Sequence, residues 1–73
     1  MMFRTLSEIL KEADVATNQN QVANAWKELI CNSDYYSMIE LEFAKEHIES
    51  IHYYKFNERT VVDIPKEIAS RKY

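Results

Sequence analysis

Few residues in this chain stand at spacings that could do chemistry, and the best placed are Glu49 and His52. A Glu-x-x-His step puts a carboxylate and an imidazole on one face of a helix, the arrangement by which helical bundles hold paired iron ions. Such a centre takes two copies of the motif and two further glutamates. The single copy here is therefore read as a helix face open to solvent, and no metal is expected. His47 and His52 are five residues apart, off one face, and neither belongs to a His-Glu-x-x-His zinc motif. Cys31 is the one cysteine, so no internal disulfide can form. No cation or glycine turn stands next to it in sequence to lower its thiol pKa, and it is expected as a small buried apolar residue rather than a nucleophile.

The chain has no glycine, which removes the loops that cradle phosphate groups in most nucleotide sites. With no nucleophile, metal set or phosphate loop in view, neither catalytic residues nor a cofactor are expected, and the chain is read as a non-enzyme.

Residues suited to recognition are more numerous. Glu40, Glu42, Glu46 and Glu49 give one segment an acidic character, and the last three share a face at helical spacing. That face is either simply solvated or a rim that orients a basic partner, a role in which charge raises association rate more than affinity. Gln21, Asn24 and Lys27 form a second candidate set, because glutamine and asparagine can pair with adenine edges in the major groove. Few cations surround them, and the chain carries a net charge of −3, which weakens any contact with phosphates.

These residues need elements to hold them. With 73 residues, 47% hydrophobic and 29% charged, the chain is long enough for a single small domain spanning residues 1–73, and its composition is that of a folded protein. The opening residues contain no apolar stretch of signal-peptide length, and no segment approaches the roughly 18 apolar residues of a membrane span. A cytoplasmic protein that keeps its N-terminus, without a membrane partner, is the expectation.

Thr5-Leu6-Ser7-Glu8 is a capping-box pattern, and Leu6, Ile9, Leu10 and Ala13 follow on one face, so a first helix should run to about residue 15. The polar stretch Thr17 to Gln21 holds the cap of a second helix. Its apolar stripe is expected to be Val22, Ala23, Trp26, Leu29 and Ile30, with Trp26 at the centre of the core. Asn32-Ser33-Asp34 should stop it.

A third helix is expected from Tyr35 to about Ser50, and its apolar residues fall on two stripes. Leu41, Ala44, Ile48 and Ile51 make one, which helices one and two can cover. Tyr36, Ile39 and Phe43 make the other, which requires something else against it. Beyond Ile51 two readings compete. In one, residues 52–56 and 59–64 pair as a β-hairpin about Asn57-Glu58; in the other, helix three continues to about Phe56 and residues 59–64 lie as an extended strap over the core. Pro65 suits the start of a last short helix from Lys66 to about Arg71.

Tyr36-Ser37, Ala44, Ile64-Pro65 and the overall length are faintly similar to the small Hha and YmoA proteins. The likeness covers roughly the second half and needs a gap before Ile64; it implies a helical partner of a nucleoid-associated repressor.

The sequence thus predicts a mainly α protein, a three-helix bundle closed by a C-terminal hairpin or strap and a short last helix. Its expected function is that of a small accessory or regulatory protein, of a kind found in phage or mobile elements. It would bind another protein, or itself as a homodimer, through Tyr36, Ile39 and Phe43 with Glu42 and Glu46 as rim. A helix-turn-helix or winged-helix DNA-binding regulator using Gln21, Asn24 and Lys27 is the alternative.

Overall fold

The computed structural model describes residues 4–70. Four α-helices follow one another, α1 (Leu6–Asp14), α2 (Gln19–Cys31), α3 (Met38–Phe56) and α4 (Lys66–Ala69), with a single 3-10 turn, Ser33–Tyr35, between α2 and α3. The stretch from Thr5 to Glu8 caps α1 as its pattern requires: the Thr5 hydroxyl accepts from the Glu8 amide at 3.2 Å, and the Glu8 carboxylate accepts from the Thr5 amide at 3.0 Å. The Asn18 side chain accepts from the Gln21 amide to start α2.

Helix α3 begins later than the sequence suggests. Asn32 to Tyr35 wind into the 3-10 turn, Tyr36 is extended, and Ser37 forms a second capping box with Glu40. A serine cap with glutamate three residues on satisfies two amides that would otherwise be orphaned, which fixes the start at Met38.

The core is built from one face of each long helix: Ile9, Leu10 and Ala13 of α1, Val22, Ala25 and Leu29 of α2, and Leu41, Ala44, Ile48 and Ile51 of α3. Each of these helices packs against the other two. The central volume is filled by aliphatic side chains, with Ile9, Leu29, Leu41, Ile48 and Val22 the largest that are wholly enclosed. Trp26 is only half-buried at the edge of this cluster, because the buried face of α2 turns on Ala25 rather than Ala23, which is exposed. Val22, Ala25 and Leu29, at steps of three and four, occupy a narrower arc than the stripe read from the sequence. Cys31 is exposed. It lies two residues past Leu29, roughly 200° round the helix, and so faces away from the core.

No β-hairpin forms, and no strand occurs among the described residues. Residues 52–56 instead complete α3, and Asn57 ends it in the left-handed region at φ 54°. The amides of Asn57 and Glu58 both donate to the carbonyl of His52, a helix-ending geometry that glycine usually serves and asparagine tolerates. A type I′ hairpin turn needs positive φ at both central positions, and among the described residues only Asn57 adopts it. Residues 58–64 then run as the strap of the second reading. Within it Val62 is buried, its amide donating to Glu49 Oε2 at 2.9 Å. Pro65 caps α4, which buries Ile68. The helix ends at Ala69 with Ser70 as its C-cap, and Arg71, the expected end, lies outside the described residues.

Candidate functional site

Helix α3 has two faces that the bundle uses differently. Roughly 120° round the helix from the buried row, Ile39, Phe43, His47, Ser50 and Tyr54 follow at steps of four, four, three and four, which places them on one outward strip. Ile39 is 71% exposed, Phe43 59% and Tyr54 83%. The Phe43 and His47 rings stack with centroids 6.2 Å apart, and His47 Nε2 meets Asp14 Oδ1 at 2.8 Å, tying the strip to the end of α1. Lys55 Nζ donates to the Asp14 carbonyl at the same corner. A shallow, mostly apolar depression of about 340 Å³ lies between His47, Ser50, Ile51, Tyr54 and Lys55.

Glu42 and Glu46 are exposed on one flank of this strip, and their carboxylates have no ion pair or hydrogen bond among the described residues. Glu49, the third member of the acidic face, has a different job. It accepts from the Val62 amide and from Lys45 Nζ at 3.0 Å, and these contacts, the backbone one first, hold its carboxyl below the usual range. It fastens the strap to α3.

The structure therefore brings Ile39 and Phe43 together with Glu42 and Glu46, and sets Tyr36 apart. Tyr36 precedes the Ser37 cap, packs half-buried against the core, and its hydroxyl donates to the Arg4 carbonyl at 2.7 Å. Burial pushes its phenol above the ordinary value, helped by the nearby Glu28 charge. Two members of the strip, His47 and Tyr54, were missed in the sequence. The steps of four and eleven from Phe43 could have found them, but the sequence left residues 52–56 open between a strand and the end of helix three, so Tyr54 had no assigned helix face.

Gln21 sits at the corner between α1 and α2, where its side-chain carbonyl accepts from the Thr17 amide and hydroxyl. Asn24 and Lys27 are exposed on α2. Arg4 is engaged by the carboxylates of Glu12 and of Glu28 on α2, which raise its already high pKa, while Arg4 lowers that of Glu12. One guanidinium between two carboxylates makes this triad net negative, and no hairpin forms among the described residues to act as a wing.

His52 is not on an open face as the Glu-x-x-His reading expected: it is buried, 6% exposed, and its Nδ1 has no hydrogen-bond partner. An unsatisfied buried polar atom costs on the order of 1–3 kcal/mol. Among the described residues no group of three or more His, Cys, Asp and Glu could hold a metal ion, and no helix is long and apolar enough to cross a membrane.

Comparisons with protein-family models, curated proteins and solved structures found no match. The residues behind the likeness to Hha and YmoA are framework residues here. Ser37 caps α3, Ala44 is buried between helices, Ile64 packs on the core, and Pro65 caps α4.

Proposed function

We propose that this chain is a small non-enzymatic interaction protein that docks the outer strip of α3 onto another protein. The observation that carries the reading is the run Ile39, Phe43 and Tyr54, large apolar and aromatic side chains left in solvent along one helix whose other face already fills the core. Exposed apolar residues scattered singly mean little, but an aligned set on a rigid helix is the form that helix-in-groove recognition takes.

The partner is argued from charge. Glu42 and Glu46 are unpaired along one flank, so a complementary surface carries lysine or arginine opposite them. A second copy of the chain fits less well. The middle of α3 is close to His47, and a symmetric antiparallel pairing about that point sets Glu46 beside the acidic flank of its mate. The occupant we favour is an amphipathic helix with a basic edge.

Photocross-linking with benzoyl-phenylalanine in place of Phe43, and separately of Asn24, tests this in cells of the source organism. The reading expects one protein captured from position 43 through a lysine- or arginine-rich segment. Capture from position 24 alone, or of a second copy of the chain from position 43, would overturn it.

A further inference from the structure

On the side of the bundle away from that strip, a groove of about 420 Å³ runs between α2, the end of α3 and the strap. Its apolar wall comes from the half-buried Trp26 together with Ile48 and Val62. Ala23 stands on its α2 side, where a longer side chain would fill the space. We propose that this groove is a binding site for a small aromatic cation, a compound with a planar apolar body and an amidinium or ammonium group.

Three observations support it, and none depends on the docking strip. The strap contributes the carboxylates of Glu58 and Asp63, which have no ion pair or hydrogen bond among the described residues, while no lysine or arginine lines the groove. Uncompensated negative charge beside an indole is the setting that favours a cation, through direct pairing and through the negative face of the ring. His52 also lines the groove, buried and with Nδ1 unpartnered. His52 thereby adds a polar ring to a wall otherwise made by Trp26, Ile48 and Val62. The volume is in the range of small-molecule pockets, and too small for a folded element.

Trp26 is the only tryptophan, so its emission reports on this groove alone. Benzamidine is the probe, with benzoate as the control of equal shape and opposite charge, and helical circular dichroism verifies each variant. The proposal expects a saturable change in Trp26 emission with benzamidine and none with benzoate. Asp63→Asn should weaken the effect about tenfold or more, as loss of one charge-assisted contact implies. Ala23→Leu, at an exposed helical position, should abolish it with the fold intact. No saturation with benzamidine, an equal response to benzoate, or undiminished binding by a folded Ala23→Leu protein would overturn the proposal.

Discussion

The hydroxyl of Tyr36 and the carboxylate of Glu49 each hold a segment that lacks regular structure. Tyr36 pins the approach to α1 through the Arg4 carbonyl. Tyr36→Phe should lower stability by about 1 kcal/mol, the worth of one such bond, in urea unfolding, while leaving cross-linking from position 43 unchanged. Glu49 makes the strap sensitive to acid. Its charged form receives the Val62 amide and Lys45, so it protonates at lower pH in the folded chain than in the unfolded one, where a glutamate titrates near about 4.3. The stabilisation is complete above that unfolded value and is lost as pH falls through the lower folded one. The protection of the Val62 amide against exchange, relative to its intrinsic rate at each pH, should therefore fall as the medium is acidified below the unfolded glutamate range, and Glu49→Gln should flatten that acid dependence. Neither role was visible in the sequence, because both depend on partners 32 and 13 residues away.

Helix α3 is the element on which the account turns. Its inner row Leu41, Ala44, Ile48 and Ile51 was readable from spacing alone, and so were the cap of α1 and the start of α2, since these depend on neighbours within one turn. Its ends were harder to place. The β-branched and aromatic character of residues 52–64 suits a strand, yet the helix wins as far as Phe56, and Asn57 stops it by accepting positive φ. Asn57→Gly should preserve or slightly raise stability, whereas Asn57→Val should cost about 1–2 kcal/mol, as forcing a side chain branched at Cβ into the left-handed region implies; thermal unfolding of the pair measures both. The burial of Trp26, Ala23 and Cys31 was misjudged for a related reason. Helical spacing gives the width of an apolar face, but the centre of that face is set by how the neighbouring helices cross it.

Taken whole, the molecule divides its apolar residues between a core and a strip that the core does not need. Leu29→Ala, at a wholly enclosed position, should cost about 2–5 kcal/mol. Phe43→Ser, on the outer strip, should change stability by less than about 0.5 kcal/mol in the same assay, as surface substitutions commonly do. The strip was half-readable: Ile39 and Phe43 stood out as surplus to one buried face, while Tyr36, assigned to the same row, belongs to the framework. Light scattering across a concentration series, run on the wild-type chain and on Phe43→Ser, tests most directly whether the strip is reserved for a different protein. The account predicts a monomer of 8.7 kDa at every concentration for both chains. A wild-type dimer that Phe43→Ser dissolves would contradict it, since the strip would then be covered by a second copy.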